Sequence, residues 1–246
     1  MKLSFQPNTV TFPALPRLLV PDGTIQAIKW LGLLLMTGDH INKYLFNGTF
    51  DWLYSAGRLC LPIFVFVLAY NLARPGSLTQ GAYGRTMARL AIFGSIASLP
   101  FVALGGLVDG WWPLNILFTL LILTATLFLV ERGGIAAFTG AGLVFLCGGA
   151  VVEFWWPALA LGVAVWSYCK RPSLIAAAAT IAALAALGYV NGNQWALLAL
   201  PLILLACALD LPVPRMRWVF YAFYPLHLAA LWLIRIPMSQ AGYLFF

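Results

Sequence analysis

The stretch Pro113–Val130 reads PLNILFTLLILTATLFLV, eighteen residues without a charge. It is continuously apolar rather than alternating, which is the pattern of a membrane-spanning helix and not of a barrel strand. Similar runs recur along the whole chain. We place nine spans at about 25–45, 57–73, 86–106, 113–130, 135–151, 155–169, 173–190, 194–210 and 217–235. The composition agrees, because 63% of the 246 residues are hydrophobic and only 9% charged, whereas a soluble domain is nearer half apolar and a quarter charged. One water-soluble core has no room for that much apolar surface. In lipid the backbone must satisfy itself, which leaves helices or a closed barrel. The expected fold is therefore all-α, a polytopic transmembrane helical bundle of about nine spans.

Residues 1–24 read as a Pro-rich, irregular, cytoplasmic or interfacial segment. Pro7, Pro13, Pro16 and Pro21 interrupt it, and it lacks a signal-peptide pattern. Residues 25–235 form one transmembrane domain without an evident internal repeat, and residues 236–246 a short tail. Trp111, Trp112, Trp155, Trp156, Trp195 and Trp218 fall near span ends, where interfacial aromatics belong.

The net charge of +7 does not point to nucleic acid, since the basic residues lie singly between apolar runs. Alternate loops place Lys2, Arg17, Arg74, Arg85, Arg89, Arg132, Lys170, Arg171, Arg215 and Arg217 on one side. The other side receives Lys43, Arg58 and Arg235. That bias makes the first side, with the N-terminus, cytoplasmic. The four cysteines Cys60, Cys147, Cys169 and Cys207 share no metal-like spacing and read as packing residues. No metal site is expected from two histidines and scattered thiols.

Ionisable groups inside spans are costly and mark function by default. They are Lys29, Asp39, His40, Arg58 and His227. Lys29 and His40 are eleven residues apart, three turns plus roughly 20°, so they share a helix face about 16 Å apart along the axis. Such a helix can line a polar path through the bilayer. The plainer alternative is that Lys29 snorkels to the headgroups and that Asp39 and His40 mark the span's end. Asp39 points about 100° away from His40 and is better placed to pair with Arg58 across the short loop. Arg58 is either a clamp for a phosphate, carboxylate or acyl carbonyl or an interfacial anchor. His227 lies mid-span in Tyr221-Ala222-Phe223-Tyr224-Pro225-Leu226-His227-Leu228, either functional or a hydrogen-bonded core residue. Asn115, opening the fourth span, is a weaker candidate of the same kind.

At these residues the chain resembles the TraX family, which is associated with conjugative plasmids and includes the pilin N-acetylase. The segment from Lys29 to Asn42, KWLGLLLMTGDHIN, is similar to its first-helix signature. Ala56-Gly57-Arg58, Pro62-Ile63-Phe64 and Asn71-Leu72-Ala73-Arg74 are similar to its second. Asn115-Ile116-Leu117-Phe118 and Phe223-Tyr224-Pro225-Leu226-His227-Leu228 resemble two later ones, so the matches run from 29 to 228. The wider superfamily of integral-membrane acyltransferases places a basic residue, ten residues and a histidine in one helix, and Lys29-x10-His40 fits with Lys for the commoner Arg.

The resemblance implies an acetyltransferase of the bacterial inner membrane with acetyl-CoA as donor and a pilin subunit as acceptor. It implies His40 as the central catalytic residue, with Asp39 and Arg58 beside it, and Lys29, Arg58, Asn115 and His227 toward the donor or substrate. His40 then acts either as general base or as the carrier of the acetyl group, and Arg58 or Asn115 steadies the oxyanion. O-acetylation of a lipid or glycan remains open, as do a transporter and a non-enzymatic pilus assembly factor.

Overall fold

The computed structural model describes residues 15–245. The expectations for residues 1–14, including the charge of Lys2, lie outside the described residues. Residues 15–21 carry no regular secondary structure, and the first helix begins at Asp22, three residues before the expected 25.

The helices are α1 (Asp22–Leu45), α2 (Asp51–Gly57), α3 (Cys60–Ala73), α4 (Ala82–Ala103), α5 (Ile116–Arg132), α6 (Ile135–Val151), α7 (Trp155–Lys170), α8 (Leu174–Asn191), α9 (Ala199–Cys207) and α10 (Arg217–Gln240). A 3-10 turn, Trp195–Leu198, leads into α9. Joining α2 to α3, and that turn to α9, leaves nine helical segments among the described residues. The second begins at Asp51, earlier than the expected 57, and α10 runs to Gln240, past the expected 235. The chain is an all-α transmembrane bundle. Asp51–Ala73, Ala82–Ala103, Leu174–Asn191 and Trp218–Gln240 are each long and apolar enough to cross a bilayer. Helix α1 is as long, but Gln26, Lys29, Asp39 and His40 dilute its hydropathy, and all four line an interior cavity.

Local chemistry explains the joints. Pro21 precedes α1 with φ of −57°, close to the value fixed by its ring, and Asp22 places a carboxylate in the first turn. Pro62 splits the second segment: it lacks the N–H that would bond to Arg58 O four residues back, and its ring crowds that carbonyl. The helix therefore breaks at Arg58 and Leu59 and resumes at Cys60. Asn115 caps α5, accepting from Leu117 N at 3.1 Å while its amide donates to Gly94 O at 2.9 Å and Ser98 Oγ at 3.2 Å. One side chain thus starts α5 and fastens it to α4.

Packing closes a ring. Helix α1 packs on α3, α3 on α7, α7 on α5, α5 on α4, α4 on α10 and α10 back on α1. Glycines allow tight approach around α5: Gly94 faces Leu117 and Phe118, Gly148 faces Ile122, and Gly162 faces Leu123. Helices α6 and α8 lie outside the ring, and both bear large exposed apolar side chains, such as Ile135 at 88% and Ile175 at 83% exposure. Such a surface belongs in lipid, not water. Trp111, Trp156, Trp195 and Trp218 are exposed next to helix ends, where the sequence places its interfacial aromatics.

Candidate functional site: a cavity with a histidine pair at its wall

The ring encloses a cavity of about 1120 Å³ whose lining runs from Asp22, before the first turn of α1 is complete, to Asn47, beyond its last. Twenty-four helical residues measure about 36 Å, so the cavity is lined at both ends of the bundle. Lys29, Asp39, His40 and Arg58 all line it, and the shared face expected for Lys29 and His40 is turned inward.

At the Asp22 end the lining is basic. Lys29, Arg74, Arg85, Arg89 and Arg215 converge there with Gln26, Asn71, Ser77 and Gln80. Lys29 Nζ donates to Gln26 Oε1 at 3.0 Å and lies 3.6 Å over the Phe220 ring, so it is held in the bundle by a neighbour and a cation–π contact. Arg74 pairs with Asp22 at 2.5 Å, and Arg89 sits over the Trp218 and Tyr221 rings. Among the described residues no ion pair engages Lys29, Arg85, Arg89 or Arg215. Four cations around one mouth without four carboxylates favour an anionic ligand.

Near the Lys43 end, α1 meets the joint between α2 and α3 at Asp39. The Pro62 break leaves Arg58 between two helices, and its guanidinium pairs with Asp39. Both side chains are 12% exposed. Arg58 Nε also donates to Tyr54 O at 3.1 Å, and the guanidinium lies 4.2 Å over the Tyr54 ring. Gly57 permits the pair, because a Cβ there would sit 2.5 Å from Asp39 Cβ. Asp39 therefore positions Arg58 rather than the His40 ring.

The ring nitrogens of His40 and His227 meet across α1 and α10: His40 Nδ1 is 2.7 Å from His227 Nε2, with ring planes 11° apart. His227 Nδ1 lies 3.0 Å from Phe223 O. A carbonyl oxygen only accepts, so His227 Nδ1 carries its hydrogen and donates it there. With both rings neutral, His227 Nε2 then accepts from His40 Nδ1–H, and His40 Nε2 is left with a lone pair. The chain Phe223 O, His227, His40 thus fixes the tautomer of a base. Tyr44 and Tyr224 pack edge-on against the His40 ring and line the same cavity.

Of the remaining sequence candidates, Asn115 is 1% exposed and does not line the cavity, because its amide is used at the α5 cap and on α4. The polar start of a helix identified it, but that start is a cap rather than a ligand. Sequence reasoning passed over Glu153, which sits in the turn between α6 and α7 and lines the cavity at the Lys43 end. Its only sequence signal is a carboxylate in a three-residue turn between two apolar runs.

Known proteins place the chain. The TraX family model, described as TraX protein, matches residues 24–235, which takes in every helix but the first two residues of α1 and the last few of α10. A relative named Protein TraX from Escherichia coli is 34% identical over 96 residues, an alignment that covers 39% of this chain and 36% of that relative. The chain thus aligns with little more than a third of that relative's length. No solved structure matches it. A match over most of the chain, spanning α1 with Lys29 and His40, the Arg58 joint and α10 with His227, makes this protein a member of the TraX family.

Proposed function

We propose that the protein is an integral-membrane acetyltransferase that moves an acetyl group from acetyl-CoA to the N-terminal amine of a conjugative pilin subunit. The observation that carries this reading is the pair His40–His227, a tautomer-fixed base that opens on a cavity lined at both ends of the bundle. Acetyl-CoA is anionic at its nucleotide and apolar along its arm. The basic mouth at Asp22 suits the phosphates, and the passage past Leu33, Phe64 and Leu68 suits the arm. The cavity volume of about 1120 Å³ is just above the range of roughly 300–1,000 Å³ that holds drug-sized ligands.

The bias of basic residues puts the Asp22 end in the cytoplasm, where acetyl-CoA is made, of a multi-pass inner-membrane protein. The acceptor approaches from the Lys43 end, and lipids cover the outer faces of α6 and α8.

Chemically, the acceptor nitrogen attacks the thioester carbonyl and a C–N bond forms. His40 Nε2 takes the N–H proton of the attacking amine, and the positive charge is shared with His227 through the bond between their rings. Arg58, held by Asp39 and Tyr54, offers its remaining N–H groups to the developing oxyanion. As the C–S bond breaks, the proton on His40 passes to the sulfur and free CoA leaves. If the acetyl group first moves to His40, the same Nε2 is the attacking atom.

The test is purified protein in lipid nanodiscs with acetyl-CoA and a processed pilin, followed by release of free thiol. The reading expects release that depends on pilin and is lost in His40→Ala, by on the order of 10²–10⁴-fold for removal of a general base. Release that is indifferent to pilin, or unchanged in His40→Ala, overturns it.

A further inference from the structure

The turn between α6 and α7 is built with unusual care. Leu114 N donates to Val151 O at 2.8 Å, Glu153 N to Leu114 O at 3.0 Å, and Thr119 Oγ1 to Glu153 O at 2.9 Å. The last two fasten both backbone groups of Glu153 to the start of α5, and the first ties the end of α6 to the same place. The next two residues, Phe154 and Trp155, have φ of 60° and 48°, the left-handed region that bulky side chains seldom occupy. Strain of this kind persists only where the surroundings enforce it, and it gathers at functional sites. Here the enforced turn sets Glu153 in the cavity wall, within electrostatic reach of Lys43, Arg58, Asp39, Tyr44 and Tyr224; His40 lines the same cavity.

The Glu153 side chain lies near the backbone N–H of Ile116, the first residue of α5, and so faces a helix N-terminus. Among the described residues it belongs to no ion pair; the neighbouring carboxylate, Asp39, is already committed to Arg58. Burial pushes the Glu153 carboxyl up to about 7, with Lys43 and Arg58 pulling it down and Asp39 adding to the rise.

We propose that Glu153 is the acceptor-amine residue: it binds the N-terminal ammonium of the incoming polypeptide and takes its first proton. This rests on the acetyltransferase reading and specifies the acceptor as an amine rather than a hydroxyl. An α-amine has a pKa of about 8 and enters as an ammonium at neutral pH, without the lone pair that attack requires. The carboxylate form of Glu153 accepts one N–H proton, giving a carboxylic acid and a neutral amine. The amine attacks the thioester carbonyl, His40 takes the second proton, and that proton leaves on the CoA thiol. The Glu153 proton returns to water. Overall, ammonium and thioester become amide, thiol and one proton. His40 alone does not suffice, since an amine acceptor must lose two protons and a hydroxyl acceptor only one.

The experiment compares wild type, Glu153→Gln and Glu153→Asp in nanodiscs, with a peptide bearing a free N-terminal amine and with the same peptide bearing a hydroxyl in its place. Acetyl transfer is followed from pH 6 to 9, and acetyl-CoA binding is measured on each protein to establish the fold. Glutamine keeps the size of the side chain and an acceptor for Ile116 N–H, so a purely structural role would survive it. We expect Glu153→Gln to bind acetyl-CoA as wild type does and to lose on the order of 100-fold in transfer to the amine at pH 7. That loss narrows as pH rises past the amine pKa and the acceptor deprotonates unaided, while transfer to the hydroxyl peptide is unchanged. Glu153→Asp keeps the wild-type shape of the pH profile. Parallel profiles for wild type and Glu153→Gln on the amine overturn the inference and leave the acetyltransferase reading standing. So does a Glu153→Asp profile that follows Glu153→Gln. Transfer by the wild type to neither peptide overturns both.

Discussion

His40 and His227 are 187 residues apart in the chain, yet their ring nitrogens lie 2.7 Å apart, with His40 in the cavity wall and His227 behind it. The contact joins the first helix to the last, so the histidine pair is complete only when the ring of helices has closed. It also divides the labour: His40 faces the cavity, while His227 is 9% exposed and bonded to its own helix through Phe223 O.

Removing His227 should leave His40 in place but unsatisfied. A buried donor without a partner costs about 1–3 kcal/mol, and about 1.4 kcal/mol is tenfold in rate. We expect His227→Ala to reduce kcat roughly ten- to a hundredfold with the KM for acetyl-CoA little changed. His227→Gln, whose amide oxygen can accept from His40 Nδ1–H, should recover part of the loss. Steady-state kinetics on the purified variants decide it.

The two ion pairs at α1 should behave very differently. Asp22 and Arg74 are 76% and 40% exposed, and such pairs contribute about 0–1 kcal/mol. Asp39 and Arg58 are each 12% exposed, and removing one partner of a buried pair costs about 3–5 kcal/mol. Asp22→Asn should therefore leave thermal unfolding nearly unchanged, whereas Asp39→Asn and Arg58→Gln should each lower it markedly. The double variant Asp39→Asn with Arg58→Gln should be less destabilised than the sum of the two. A thermal-shift series in detergent reads all four.

Gly57→Ala should mimic loss of that pair without touching a charge. A Cβ at 57 meets Asp39 Cβ at 2.5 Å and Cγ at 2.7 Å, the root of that side chain rather than a flexible tip. Overpacking of this kind costs about 1–3 kcal/mol. The same thermal series, together with acetyl-transfer rate, should place Gly57→Ala beside Arg58→Gln.

Lys29 lies at the basic mouth, about 16 Å along α1 from His40, and touches none of the reacting atoms. Lys29→Ala should raise the KM for acetyl-CoA several-fold with kcat nearly unchanged, the mark of an interaction made equally in ground and transition states. Dephospho-CoA thioesters, which present less charge to Lys29 and the arginines, should show a smaller effect.

Much of this fold is legible from continuous apolar runs. Span 135–151 and the start of the sixth span at Trp155 coincide with α6 and with the start of α7 to the residue. Boundaries slip where a side chain rather than hydropathy decides. Pro62 breaks the second segment at Arg58, and polar residues such as Asp51 and Gln240 hide the helical ends beyond the lipid-like core. The Lys29–His40 face is readable because helical period fixes it within one element. The His40–His227 bond is not, because it depends on how α10 closes the ring, and Glu153 is hidden because a strained turn gives no periodic signal. Asn115 misleads for the opposite reason, since a cap and a ligand look alike in sequence.

The central claim is that this cavity acetylates a pilin at its N-terminus through His40. Intact-mass spectrometry of the pilin subunit tests it most directly, in cells that carry the wild-type protein, no protein, or His40→Ala. The account predicts a pilin heavier by one acetyl group with the wild type alone. An identical mass in all three, or an acetylated pilin with His40→Ala, contradicts it.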